Sequence, residues 1–217
     1  MATALTAGAL HPEGVLTWAL DTYGDRLAFT TGLGAGGLCV LHLARRLAGR
    51  LRCVFLDTGF HFAETLQYAQ DVAAFLDIEL ILQEPEPFGP TWREDREACC
   101  DHRKVAPLAK ALEGFDAWVN ARRGDQGGLR VGMPLIERDE AGFVKVNPLA
   151  HTPRAWVDDY MTTHRIPIHP LLSQGYGSIG CEPCTRKLKA GEGERDGRLF
   201  AGGKTECGIH TRLQVKR

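Results

Sequence analysis

Apolar residues recur at helical spacing over 12–23, where Val15, Leu16, Ala19 and Leu20 share one face behind Pro12, a residue suited to a first helical position. The pattern then changes period. Compact apolar runs over 26–31 (RLAFTT), 52–56 (RCVFL) and 78–82 predict strands. Between them, 38–48 (LCVLHLARRLA) and 62–76 predict helices, the first with basic residues toward its end, where the macrodipole favours them. Strand, helix, strand, helix, strand at this spacing implies right-handed crossovers and a parallel sheet. Ligands of such sheets sit beyond the C-terminal strand ends. Two glycine-bearing turns, 30–37 and 57–59, fall at that edge.

Past residue 83 the pattern is less regular. Residues 84–97 form an irregular, proline-containing connection, and Cys99-Cys100 opens a helix to about residue 113, distorted at Pro107. A strand is expected over 115–121, a polar loop with Arg122, Arg123 and Arg130 over 122–132, a hairpin over 135–146, and a helix over 152–164 with Pro153 at its first position. From 167 onward the chain reads as irregular. Five glycines between 191 and 203 predict a body over 1–190 and a flexible C-terminal arm over 191–217.

With 217 residues the chain can bury one sizeable core. A net charge of −1 gives no ground for bulk binding to nucleic acid or to an anionic membrane. No apolar run reaches the roughly 20 residues of a membrane span, and no basic-then-apolar leader reads as a secretory signal. Seven cysteines, an odd count with two adjacent, argue against a secreted disulfide framework and for metal or catalytic use in a reducing cytoplasm.

The Gly-rich turn can cradle an anion with backbone N–H groups at a helix start. No Gly-Lys-Ser/Thr follows, and a plain tight turn is the other reading. Cys39 and Cys53 sit in apolar interiors and read as packed thiols. Cys99, Cys100, Cys181 and Cys184 lie at polar, Gly- and Pro-bearing element ends and read as four metal ligands. Zinc and a [4Fe–4S] cluster both accept four thiolates, and spacing does not choose between them. Cys207 is the candidate nucleophile, with Lys204, His210 and Arg212 close in sequence to favour its thiolate; the bland reading is a spare surface cysteine. Lys104, Arg123, Arg130, Arg195 and Arg198 form a set suited to an anionic substrate, although any one of them could be a solvated surface charge.

These residues together resemble the assimilatory adenylyl-sulfate (APS) reductases, the cluster-bearing branch of the APS/PAPS reductase family. Leu56-Asp57-Thr58-Gly59 with Phe62-Ala63-Glu64-Thr65 resembles that family's L-D-T-G-x-x-F-P-E-T. Cys99-Cys100 with Arg103-Lys104 and Pro107-Leu108 resembles its double-cysteine helix. The stretch from Gly175 to Thr185 resembles G-Y-x-S-I-G-C-x-P-C-T, that from Glu194 to Arg198 resembles E-R-x-G-R, and that from Glu206 to His210 resembles E-C-G-L-H. The resemblance implies an α/β, PP-loop adenine-nucleotide α-hydrolase-like fold with a mostly parallel sheet flanked by helices and a mobile C-terminal arm. It implies a [4Fe–4S] cluster on Cys99, Cys100, Cys181 and Cys184, and reduction of adenylyl sulfate to sulfite and AMP. Cys207 would form an S-sulfonate that a thioredoxin or glutaredoxin-like donor then attacks. Lys104 would bridge cluster and substrate. Arg195, Arg198 and His210 would hold phosphosulfate oxygens. Arg123, Arg130, Thr31, Gly34, Asp57, Thr58 and Gly59 would complete the substrate site. Homo-oligomerisation is left open.

The chain departs from the family at Gly34-Ala35-Gly36-Gly37, which lacks the two acids of S-x-x-G-A-E-D, and at Gly124, Gly127 and Ala63. The first departure leaves a 3′-phosphoadenylyl-sulfate reductase as the alternative. More distant rivals are a PP-loop tRNA-thiolating enzyme and a non-catalytic metal-binding module.

Overall fold

The computed structural model describes residues 11–140, 142–199 and 208–215. Helix α1 (Pro12–Tyr23) forms where the apolar stripe places it and buries Val15, Leu16 and Ala19. Strands β1 (Leu27–Thr31), β2 (Arg52–Leu56) and β3 (Glu79–Gln83) alternate with helices α2 (Ala35–Ala48) and α3 (Ala63–Leu76). Then follow α4 (Arg96–Cys100), α5 (Ala106–Ala111), β4 (Ala117–Val119), the hairpin β5 (Ile136–Arg138) and β6 (Val144–Val146), and α6 (Arg154–Thr163).

The sheet runs β3-β2-β1-β4-β6-β5, with every neighbouring pair parallel except β5 with β6. The expected mostly parallel sheet flanked by helices is the observed one. Side chains alternate between its two faces, as strand geometry requires. Leu27, Phe29, Ala117 and Val119 join the large core with α1, α2, α3 and α6, whereas Ala28 and Trp118 face a smaller cluster with Leu108, Leu112, Phe143 and Val215. From β1 the chain proceeds outward to β2 and β3 on one side, and β4 lies on the other. The crevice beyond the C-terminal ends of β1 and β4 is therefore the switch point at which open α/β sheets bind ligands.

Local boundaries differ from expectation for identifiable reasons. Gly36 and Gly37 lie inside the first turn of α2, not in the turn before it. A Cβ on Gly36 would meet Leu149 Cδ1 at 3.1 Å and Ala121 O at 3.4 Å, so the glycine lets the helix start approach the loop after β4. Cys99 and Cys100 close α4 rather than opening a helix. Asp95 caps that helix, its carboxylate accepting hydrogen bonds from Glu97 N at 2.8 Å and Ala98 N at 3.0 Å. Ahead of Pro107 the chain widens into a π turn over Asp101–Val105, where Ala106 N–H donates to Asp101 O. The strand expected over 115–121 is only three residues long, because Asn120 and Arg122 turn into a buried polar network.

Candidate functional site

A cavity of about 510 Å³ opens at the switch point. On the β1 side, Thr31 Oγ1 accepts a hydrogen bond from Leu33 N at 2.9 Å. Leu33 is buried at φ 57°, a left-handed conformation that a bulky residue rarely adopts. Gly34 follows as the residue preceding α2, and Thr31 and Gly34 both line the cavity. On the β2 side Thr58 lines it, whereas Asp57 and Gly59 do not. Those two shape the turn: the Asp57 carboxylate accepts from Gly59 N at 2.9 Å, and Gly59 sits at φ 70°.

Lys104, Arg123, Arg130, Arg195, Arg198 and His210, scattered through the sequence, all line this cavity. Arg123 is 3 % exposed and paired with Asp125 at 2.9 Å and Glu194 at 3.2 Å. Arg130 donates to Gln126. Arg198 donates to Ile179 O at 3.1 Å and Ser178 Oγ at 3.3 Å. His210 stacks on Trp118 with ring planes 7° apart, and its carbonyl accepts from Lys145 Nζ at 3.3 Å. Burial, then Arg122, Arg130, Lys145 and Arg195, push the His210 imidazole well below the usual histidine range, so it is neutral. Its Nδ1 is buried and has no hydrogen-bond partner among the described residues. Cys207 lies outside the described residues.

A second recess adjoins the first. Cys99, Cys100, Cys181 and Cys184 line it together with Phe60 and Trp92. Lys104 and Cys181 line both spaces. Lys104 Nζ lies 4.0 Å from Cys100 Sγ, and Thr58 Oγ1 lies 3.2 Å from Cys181 Sγ. Arg103 builds the wall between the turn and the cysteine helix, donating to Thr58 O at 3.0 Å with its guanidinium 4.4 Å from the centre of the Phe60 ring. Burial raises the Cys99 thiol, with Cys181 and Cys184 adding to it and Arg103 and Lys104 opposing. Burial and Cys181 likewise raise Cys184. Cys99, Cys181 and Cys184, which repel one another as thiolates, form with the neighbouring Cys100 a donor set that fits a cationic metal group. Among the described residues no three His, Cys, Asp or Glu side chains gather as a metal ion requires; the four cysteines share the lining of the recess. Burial pushes Cys53 up, and Cys39 up to about 12, as packed thiols should be.

Several cavity residues were not among the expected site residues. Trp118 sits in an apolar strand and looked like core, yet it lines the cavity and donates to Thr30 Oγ1 at 2.7 Å. Arg122 pairs with Glu137 and donates to Asn120 Oδ1 and Asn147 Oδ1, both at 3.0 Å. His61 donates from Nε2 to Leu56 O at 2.9 Å, its backbone bridges to Cys181, and its buried Nδ1 has no partner among the described residues.

Residues 26–187 match the phosphoadenosine phosphosulfate reductase domain. The chain belongs to the phosphoadenosine phosphosulfate reductase family. Within it, the adenosine 5'-phosphosulfate reductase of Streptomyces coelicolor is 39% identical over 206 residues, covering 90% of this chain and 86% of the relative. That of Mesorhizobium japonicum is 38% identical, covering 94% and 84%. The phosphoadenylyl-sulfate reductase of Candida auris, solved as a phosphate complex, superposes with a TM-score of 0.69 at 26% identity, covering 87% of this chain and all of that one. The FMN adenylyltransferase of Candida glabrata has a TM-score of 0.61 at 17% identity, covering 92% and 74%, a likeness of fold alone. The PP-loop-like nucleotide-binding architecture expected of this family member is therefore the one it has. Among the described residues no helix is long and apolar enough to cross a membrane.

Proposed function

We propose that this family member reduces adenylyl sulfate to sulfite and AMP, using Cys207 as nucleophile and an external dithiol as reductant. The observation that carries this reading is the junction of two spaces at Lys104 and Cys181, one ringed by four cysteines and one lined by cations at the sheet's switch point. The names of the relatives support adenylyl sulfate as the substrate.

The Cys207 thiolate attacks the sulfate sulfur, the bond from sulfur to the bridging phosphate oxygen breaks, and AMP leaves with its electron pair. A protein S-sulfonate remains. A thiolate of a thioredoxin or glutaredoxin-like donor attacks the Cys207 sulfur, sulfite departs, and the donor's second thiol resolves the mixed disulfide. The dithiol is oxidised and the sulfur is reduced by the same two electrons. Negative charge grows on phosphate and sulfonate oxygens as the bond breaks, so fixed cations stabilise that state more than the ground state. Lys104, Arg195 and Arg198, which line the cavity, would supply these cations. Neutral His210 holds its ring on Trp118 and offers a hydrogen bond without adding charge.

Cys99, Cys100, Cys181 and Cys184 would hold a [4Fe–4S] cluster, which would supply fixed electrostatics beside the substrate. Four thiolates can hold either a cluster or a zinc ion, and the match of the two cysteine motifs to the cluster-bearing reductases favours the cluster. Packed thiols at Cys39 and Cys53, with the other four described cysteines offered to a metal group and not to disulfides, fit a reducing cytoplasm.

The test is a single turnover with ³⁵S-labelled adenylyl sulfate and no dithiol. About one label per chain should become protein-bound on Cys207 and leave as sulfite when thioredoxin is added. Absence of any covalent label would sink this mechanism.

A further inference from the structure

We infer that Glu194 is a positioning residue: it ties the segment carrying Arg195 and Arg198 across the cavity to Arg123 and Arg154, and so sets where those two cations meet substrate. The inference rests on the reading of the cavity as the substrate site.

Residues 194–199 are anchored on one side to the cysteine loop. Arg186 N donates to Gly197 O at 2.9 Å, Leu199 N to Cys184 O at 3.0 Å, and Thr185 bridges Arg198. Glycines allow the close approach. A Cβ on Gly177 would lie 2.4 Å from Glu194 O, and one on Gly197 the same distance from Arg186 O. Those contacts fix the segment to the cysteine side. On the nucleotide side, Glu194 Oε2 accepts from Arg123 Nη2 at 3.2 Å and from Arg154 Nη1 at 3.0 Å. Asp125 closes a ring from below, accepting from Arg123 Nε at 2.9 Å and from Arg154 N at 2.6 Å. Arg123 is the buried post of this ring, and it stands beside the start of α2, 3.8 Å from where a Gly36 Cβ would lie.

One carboxylate thus joins three separate parts of the wall: the loop after β4, helix α6 and the arginine-bearing segment. Glu194 is itself about one-third exposed, so its value lies in geometry more than in stability. Without it, Arg195 and Arg198 keep their anchor on the cysteine loop and lose this tie to Arg123 and Arg154.

The experiment compares wild type, Glu194→Gln, Glu194→Ala, Arg154→Ala and the double variant, each purified anaerobically with its metal content matched. For Glu194→Ala the KM for adenylyl sulfate should rise about tenfold while kcat changes less than about threefold, with Glu194→Gln between it and wild type. Arg154→Ala should add little on top of Glu194→Ala, since the two share one interaction. Independently of activity, trypsin should cleave after Lys189 or Arg195 several-fold faster in the substrate-free Glu194 variants. A wild-type KM together with wild-type proteolysis overturns the tie, as does a fully additive double variant. Faster proteolysis in a chain that does not turn over adenylyl sulfate upholds the tie and defeats the functional reading instead.

Discussion

Residues 27–56 and residues 176–199 wall the same cavity, yet different physics holds them in place. The first region is a strand, a helix and a strand whose side chains alternate between two apolar cores, with Phe29, Leu38, Cys53 and Phe55 buried. The second contains no regular strand or long helix. It is positioned by close backbone approaches at Gly177 and Gly197, by the Arg198 guanidinium lying against Gly180, and by the pairs of Glu192 with Arg186 and of Glu194 with Arg123 and Arg154. Apolar burial tolerates substitution if volume is kept, whereas a wall built from glycine contacts and ion pairs tolerates little. The framework should therefore control stability, and the irregular wall should control chemistry.

The largest expected effect is at the proposed nucleophile. Cys207→Ser should reduce sulfite release by about a thousandfold or more while AMP still binds, measured by calorimetry. Next, Cys181→Ser should remove bound iron and acid-labile sulfide and, because Cys181 lines both spaces, weaken substrate turnover as well. A protein that kept its full iron and sulfide would remove Cys181 from the ligand set. Third, Gly180→Ala would place a Cβ 2.1 Å from the Arg198 guanidinium, whereas Gly32→Ala meets nothing within 4 Å. KM should rise about tenfold in the first and less than about twofold in the second. The framework counterpart is Leu16→Ala. It removes a completely buried side chain, should cost about 2–5 kcal/mol of stability by denaturant melting, and should leave KM near wild type.

The smallest expected effect is on pH dependence. His210, His169 and His42 are all held below the ordinary histidine value, chiefly by burial. His169 shows why: its Nδ1 accepts from Leu171 N at 3.2 Å and its Nε2 donates to Thr65 Oγ1 at 3.0 Å, a set that only the neutral ring satisfies. Between the folded and unfolded pKa values the unfolded chain binds more protons, so stability is full above about 6.5 and declines as pH falls below it. Tm should drop on acidification from about pH 7 to about pH 5, and less so in His169→Asn. A Tm that rises over that range contradicts the neutral assignment.

The same division explains what the sequence could reveal. The elements from α1 to β3 were legible because helix and strand periods differ and their apolar faces are wide. The cysteines and cavity arginines were legible as motif residues. Glu194 stood in a recognisable motif without a role, because its partners Arg123 and Arg154 lie 71 and 40 residues away and no local spacing encodes such a bridge. Trp118 was hidden for the opposite reason: one side chain serves both a core and a cavity wall. Asp57 and Gly59 were legible as motif residues, but they shape a turn and do not line the cavity, a distinction that the motif does not carry.

The most direct measurement is the product balance of the metal-replete protein with thioredoxin and either adenylyl sulfate or its 3′-phosphorylated form, assayed for sulfite and AMP. One sulfite and one AMP per adenylyl sulfate consumed, with much slower turnover of the 3′-phosphorylated nucleotide, is the predicted result. Sulfite from the 3′-phosphorylated nucleotide alone would reassign the substrate, and no sulfite from either would contradict the central claim.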